Sequence, residues 1–434
     1  MKHIAIATLA ALLMTVGAQA NDNTDLMQLV RQLQQQVQQQ QSQIDQLTNG
    51  TTQSRIAEMV EVAVDERIDT EGFSALKEVG SVVTLEDADS LHITGDVLLR
   101  YEYAELPEGG AADYNTGFKT RVRLGLGWQK GDWEAAIGLR GGENDARQAD
   151  SVWNSESEFQ SGGHADFNID YAYGTHNWDG YALTIGQHQN PYHTSNILWD
   201  NDIRFTGATA TADLEAAFVT TGLYSVMNNG NGADETWLWA LQAGTQFETE
   251  GAEGVLAIGY YHFNNLSQVN QAGTDINTTG TAFSDEFNGN YDLQILDIFA
   301  SAEADMGEAT VGVFGQYAHN FGADGTDGQT GLDPDDNDSA WTIGGDVKAG
   351  AFTIGYSYAD IEADALHSEL TDYDFTRFAN NGGTNRKGHI VGLGYDVNSN
   401  MSLGAKGFFT EASEKEGADD QEGELYQFDI LYKF

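Results

Sequence analysis

The strongest constraint on this chain is the way its connections alternate in length. From Leu91 to the C-terminus the sequence breaks into short segments of alternating polarity, separated by Gly, Asn and Asp. They begin near residues 91, 118, 133, 165, 180, 203, 213, 236, 254, 291, 308, 339, 351, 387, 400 and 424, which makes sixteen strands. Between the second and third lies little more than "KGD", between the sixth and seventh "TAD", between the tenth and eleventh "DMGE", and between the twelfth and thirteenth "KAGA". The alternate connections are long, covering roughly 104–116, 143–164, 188–202, 222–235, 264–290, 319–338, 361–386 and 411–423. One end of the molecule therefore carries tight turns and the other large loops. A closed barrel in an outer membrane has that asymmetry, with turns in the periplasm and loops outside. A soluble sandwich or propeller has no reason to sort its loops by parity.

Lipid imposes the same answer. Backbone polar groups cannot stay unpaired in hydrocarbon, so only helices and closed barrels span it, and no stretch after residue 20 could be a spanning helix. The expected fold class is all-β, a 16-stranded antiparallel transmembrane β-barrel over residues 81–434. An even strand number places both ends of the barrel on the turn side. Successive side chains of a strand point to opposite faces. Leu91, Ile93, Val97, Leu99, Tyr101 and Tyr103 thus share a lipid face, as do Phe118, Val122, Leu124, Leu126 and Trp128, and Trp133, Ala135, Ile137 and Leu139. Trp128, Trp133, Trp237, Tyr101, Tyr103, Tyr171 and Tyr173 lie near strand ends, where aromatic girdles belong. The chain ends in "ELYQFDILYKF", whose face of Tyr426, Phe428, Ile430, Tyr432 and Phe434 is expected to touch lipid. This last strand must pair with the one near Leu91, so that no edge is left open.

The segment ahead of the barrel divides in two. "MKH", the apolar run "IAIATLAALLMTV" and the small-x-small "AQA" make residues 1–20 a secretory signal peptide. In "DLMQLVRQLQQQVQQQQSQIDQL", the positions Leu26, Val30, Leu33, Val37, Gln40, Ile44 and Leu47 follow a heptad seam. Residues 21–80 are accordingly expected to form a periplasmic α-helical coiled-coil stalk and linker helix. Its glutamine-rich flanks select no foreign partner, which points to a homo-oligomer. The competing reading is a disordered glutamine tract.

Charge and composition narrow the partners. Acidic residues outnumber basic ones 67 to 20, giving a formal net charge of −47, which argues against nucleic acid. There is no cysteine, hence no disulfide and no thiolate metal site. "DGTDGQTGLDPDDND", residues 324–338, lacks the glycine and glutamate that a calcium loop needs at its sixth and twelfth positions. No cofactor is expected. The acidic extracellular loops suit loosely held Ca²⁺ or Mg²⁺ that bridges them to lipopolysaccharide. No GxSxG, HExxH or phosphate-binding loop is present, and His188, His193 and Ser195 form no readable triad, so no enzyme activity is expected.

Several stretches carry a family likeness. "ITGDVLLRYEY" (Ile93 to Tyr103), "TRVRLGLG" (Thr120 to Gly127), "IDYAYG" (Ile169 to Gly174) and "TIGQHQNPY" with "LWDNDIRFTG" (Thr184 to Gly207) resemble Gram-negative porins. More narrowly, the chain resembles the family called putative porins, which joins a signal peptide and coiled coil to a barrel. Phe434, with Tyr432 and Ile430 alternating before it, resembles the assembly signal read by the barrel-assembly machinery. The resemblance implies a trimeric outer-membrane channel for passive diffusion of small hydrophilic solutes and ions, with the third long loop folded inward. Two departures concern pore charge: Gln187 stands where a basic residue is usual before "NP", and "RFTG" replaces a Pro-Glu-Gly-like turn.

Lumen-facing residues follow from the alternation. Arg100, Lys119, Arg121, Arg123 and Arg140 make a basic stripe, and seven of the chain's twenty Lys and Arg lie between residues 100 and 147. Asp200 and Asp202 in the third long loop are the expected acidic counterparts across a constriction, setting up a transverse field. The competing reading is local pairing of the arginines with Asp96, Glu102 and Glu134. Two other functions stay open: a solute-specific channel for an anion or a sugar, and a barrel-anchored structural protein whose stalk contacts the cell wall.

Overall fold

The computed structural model describes residues 90–105, 114–141, 151–152, 167–227, 236–264, 293–323, 334–367, 370–376, 384–413 and 422–434. The segments expected to be a signal peptide, a coiled coil and a linker helix lie outside these residues, as does most of the acidic segment 324–338. Sixteen strands form the wall: β1 (Ser90–Glu105), β2 (Tyr114–Lys130), β3 (Trp133–Gly141), β4 (Phe167–Trp178), β5 (Tyr181–His188), β6 (Phe205–Asp213), β7 (Ala217–Met227), β8 (Thr236–Thr249), β9 (Ala252–Asn264), β10 (Gln294–Asp305), β11 (Ala309–Asn320), β12 (Ser339–Ala349), β13 (Phe352–Ile361), β14 (Arg386–Asn398), β15 (Met401–Ala412) and β16 (Gly423–Lys433). One further two-residue strand, Ser151–Val152, pairs with Lys119 and Thr120 beside the wall.

Each wall strand runs antiparallel to its sequence neighbours, and β1 pairs with both β2 and β16, so the sheet closes. Tight turns of two or three residues alternate with the long connections, as the sequence requires. Five of those turns carry a glycine with φ between +54° and +90°, at Gly131, Gly180, Gly251, Gly307 and Gly350. A side chain is disfavoured at such angles. The wall's outer face is apolar and exposed, as at Ile93, Leu124, Ile137, Ile185, Leu256, Ile343, Ile354 and Phe428. These residues alternate with inward polar ones, which is how so acidic a chain presents hydrocarbon to lipid.

The seam between first and last strands is built around a glycine. Gly95 and Phe434 exchange two backbone hydrogen bonds of 3.0 Å each. A Cβ on Gly95 would stand 2.4 Å from the Phe434 ring, so the ring occupies the space a side chain would fill. Phe428, Ile430, Tyr432 and Phe434 are all exposed on the outer face, while Gln427 and Asp429 turn inward onto Glu102 and Arg100.

One sequence expectation fails. Tyr171 and Tyr173 do not join an outer girdle, because the β3–β4 register slips: Leu139 faces Ile169 but Gly138 faces Tyr171, leaving Asp170 as an extra residue. Such a bulge reverses every later side chain. The Tyr171 ring therefore lies inside, over Gly138 and Gly125. The outer aromatics at this end are instead Trp133, Trp178 and Tyr181, with His176 stacked 4.1 Å from Trp133.

The buried core sits within the ring, near the loop end. It comprises inward side chains of β6 to β13, with Ala104 of β1, Phe408 of β15 and Leu425 of β16, together with residues of the long loops.

Candidate functional site in the barrel lumen

The third long loop, residues 189–204 (loop 3), leaves β5 and folds along the inner wall. Its first turn is fixed locally: Tyr192 N donates to Asn190 Oδ1 (3.0 Å) and Asn190 Nδ2 donates to Thr194 Oγ1 (3.0 Å). Tyr192, Ile197, Leu198, Trp199 and Ile203 then bury against inward residues of the wall. The Trp199 ring lies 5.0 Å from Phe205, 5.4 Å from Tyr261 and 6.2 Å from Phe263. Tyr192, Tyr224, Thr209 and His188 share a chain of hydrogen bonds of 2.8, 2.6 and 3.0 Å. An apolar inner wall at this level would be wasted against water; the loop is what covers it.

The same loop also meets polar wall residues. Gln242 of β8 accepts from His193 N and donates to His193 O, both at 2.9 Å. Gln316 of β11 accepts from Ser195 N at 2.8 Å and from Ser195 Oγ at 2.5 Å. The His193 ring packs 4.8 Å from Phe218.

The basic stripe lies on the inner face of β1 to β3, and each of four cations has an acid beside it. Arg100 forks onto Asp429 of the closing strand, Nε to Oδ1 at 2.8 Å and Nη2 to Oδ2 at 2.9 Å. Two parallel bonds of this kind are the strong form of an arginine–carboxylate pair. Arg100 also lies 3.6 Å from Asp374. Lys119 meets Glu102 at 3.1 Å and Arg121 meets Asp96 at 3.2 Å. Arg123 touches Asp202 of loop 3 directly and lies 3.9 Å from Asp170. Arg140 is buried directly across from Arg123 in the β2–β3 register. Of the acids named from sequence as local partners, Asp96 and Glu102 take these positions, whereas Glu134 accepts from Asn177 at 3.0 Å.

Asp200 and Asp202, two residues apart, part company. Asp202 joins the stripe, while Asp200 turns to the seventh long loop, residues 362–385 (loop 7). Asp200 N donates to Leu370 O (2.7 Å), Tyr373 N donates to Asp200 Oδ2 (3.0 Å), and Asp372 N donates to Asn196 O (3.0 Å). Asp372 caps the short helix α1 (Tyr373–Thr376), accepting from Phe375 N at 3.1 Å. Burial, and then the neighbouring Asp372, push the Asp200 carboxyl up to about 8. Burial and Asp374 raise Asp372 as well.

Sequence reasoning missed several of these residues. Asp170, 2% exposed, holds Arg204 at 3.0 Å and so ties the end of loop 3 to the stripe. Alternation with the outward Phe167 and Ile169 already turns Asp170 inward, but its pairing with Arg204 of loop 3 has no signal in a single sequence. Loop 7 was not expected inside, and Gln242 and Gln316 read only as ordinary polar strand positions. Among the described residues no group of three or more His, Cys, Asp or Glu side chains is placed to hold a metal ion.

Comparison with known proteins fits this geometry. The barrel is similar to the high-pH structure of Pseudomonas putida OprB, with TM-score 0.53 and 13% identity over 83% of this chain and 96% of that one. A loop L8 deletion mutant of Vibrio cholerae OmpT matches at 14% identity and TM-score 0.44, over 80% of this chain and 100% of that one. A mutant Rh. blastica porin matches at 9% identity and TM-score 0.44, with the same coverage. At these identities the first supports the fold alone, and the other two are too distant to add to it. No curated protein sequence matches the chain. The family model described as "Putative porin" matches residues 18–321, about seven-tenths of the chain, and by that match the chain belongs to the putative porin family: it is an outer-membrane channel protein, not an enzyme.

Proposed function

We propose that the lumen is a water-filled path for small hydrophilic solutes and ions, narrowed where loops 3 and 7 meet the basic stripe. One observation carries this reading. Loop 3 is fastened to β6, β7 and β9 by the rings of Tyr192 and Trp199 and to the basic wall through Asp202 and Arg204. Arg100, Lys119, Arg121, Arg123 and Arg140, with Asp202, then line the constriction, and Asp200 belongs to the contact between the loops. Because Arg100, Lys119, Arg121 and Arg123 each lie beside a carboxylate, the stripe acts as a ladder of dipoles more than as a block of positive charge.

The rest of the account follows the family and the sequence. Residues 1–20 direct export, residues 21–80 form the periplasmic stalk, and three copies assemble through it and the barrels. Tyr432 and Phe434 are read by the barrel-assembly machinery. The acidic loops outside, with Ca²⁺ or Mg²⁺, contact lipopolysaccharide. Liposome swelling with sugars of graded size tests the channel reading. Uptake that falls steadily with solute size supports it, and no uptake of even the smallest sugar refutes it.

A further inference from the structure

We propose that the position of loop 3 is set from behind, by a relay of wall side chains: Asp297 of β10 fixes the amide of Gln316, which holds Ser195, while Gln242 clamps His193. This rests on the reading that loop 3 narrows the channel. All three wall residues are closed off from solvent, with Gln242 and Asp297 at 0% exposure and Gln316 at 4%.

Gln242 acts toward the loop as a neighbouring strand would. Its oxygen accepts from His193 N and its nitrogen donates to His193 O, so one side-chain amide replaces one rung of a ladder. Gln316 is different, because only its oxygen faces the loop, receiving both Ser195 N and Ser195 Oγ. A glutamine amide has two nearly isosteric orientations, one presenting oxygen and the other nitrogen. In the second, Gln316 would set a donor against the Ser195 N–H and lose the contact. Asp297 removes that choice: its Oδ1 accepts from Gln316 Nε2 at 2.6 Å. A carboxylate offers only acceptors, so the amide nitrogen is held toward β10 and the oxygen toward the loop. Asp297 makes no contact of its own with the Ser195 backbone in this arrangement. It is a positioning residue, working through Gln316.

The chain contains no cysteine, so a pair of spin labels can be introduced cleanly at His193→Cys on the loop and Glu250→Cys in the exposed β8–β9 turn. Electron–electron distance measurements on the folded, detergent-solubilised protein report the loop, and single-channel recordings of the same variants without labels report the pore. With Asp297 intact, one narrow distance distribution is expected. Asp297→Ala should broaden and shift it, while Asp297→Asn, which keeps an acceptor oxygen for Gln316 but adds a donor that admits the flipped amide, should fall between the two. Heat-modified gel migration confirms that each barrel has closed. Gln316→Leu carries the same expectation as Asp297→Ala should the alanine variant fail to fold. A distribution unchanged in both Asp297→Ala and Gln316→Leu overturns the relay. Equal broadening by Asn and Ala overturns the orienting role in favour of the charge itself. A displaced loop with unchanged conductance leaves the relay standing and refutes the channel-narrowing reading instead.

Discussion

Replacing Trp199 by alanine removes the largest side chain that holds loop 3 to the wall. The indole is 3% exposed and its neighbours Phe205, Tyr261 and Phe263 come from β6 and β9. A buried aromatic of this kind removes about 150–250 Å² from water. At about 25 cal/mol per Å² that is about 4–6 kcal/mol. Measured truncations of buried Phe and Trp to Ala cost about 3–5 kcal/mol, and we adopt that range. Because Trp199 lies in the loop and contributes no rung to the barrel ladder, the cost falls on docking of the loop, not on closure of the ring. Each 1.4 kcal/mol is a factor of ten in an equilibrium, so the ratio of docked to undocked loop should fall by a factor of about 10² to a few times 10³. Single-channel recording reads the outcome directly. Trp199→Ala should give larger and noisier openings, Trp199→Phe an intermediate trace, and both should keep the wild-type heat-modified gel shift. Conductance and noise identical to wild type, from a folded Trp199→Ala barrel, would refute the argument that this core positions the loop.

Gly95→Ala places a methyl group 2.4 Å from the Phe434 ring and 2.8 Å from the Arg123 carbonyl oxygen; overpacking of this kind costs about 1–3 kcal/mol, read as a lower temperature of barrel unfolding on gels. Removing Phe434 deletes the ring together with its pair of 3.0 Å backbone bonds to Gly95; folded barrel should fall sharply in outer-membrane fractions, while the amount secreted across the inner membrane stays unchanged. Ionisation of Asp200 opposes the loop 3–loop 7 contact, because its carboxyl rises from 3.8 to about 8 when buried beside Asp372. The contact is fully stabilised below 3.8 and loses that stabilisation progressively until about 8, above which the carboxyl is ionised docked or free, so open-channel noise should grow from about pH 4 to about pH 8 and then level off. Asp200→Asn should abolish that dependence, and noise that still rises with pH in this variant would assign it to another group.

What was legible in the sequence was whatever obeys a period of two. The sixteen segments, the parity of the turns and the inward orientation of Arg100, Lys119, Arg121, Arg123 and Arg140 follow from alternation, which each strand carries within itself. The pairing of β16 with the strand near Leu91 was legible as well, because a membrane tolerates no open edge. Alternation fails at a single inserted residue, and Asp170 is one: it turned Tyr171 and Tyr173 from the expected girdle into the lumen. The partners of the stripe were illegible for a different reason. Arg100 meets Asp429 and Asp374, and Arg123 meets Asp202, across sequence separations set by ring closure and by loops with no period of their own. Gln242, Gln316 and Asp297 are polar residues at lumen positions of ordinary strands. Only the loop seated on them gives them a role.

The central claim, a channel whose width is governed by a docked loop, is tested most directly by recording ion current from purified, heat-modifiable protein in planar bilayers. The account predicts discrete, lasting conductance steps in simple salt that grow when loop 3 is released. Folded protein that inserts and passes no current would contradict it.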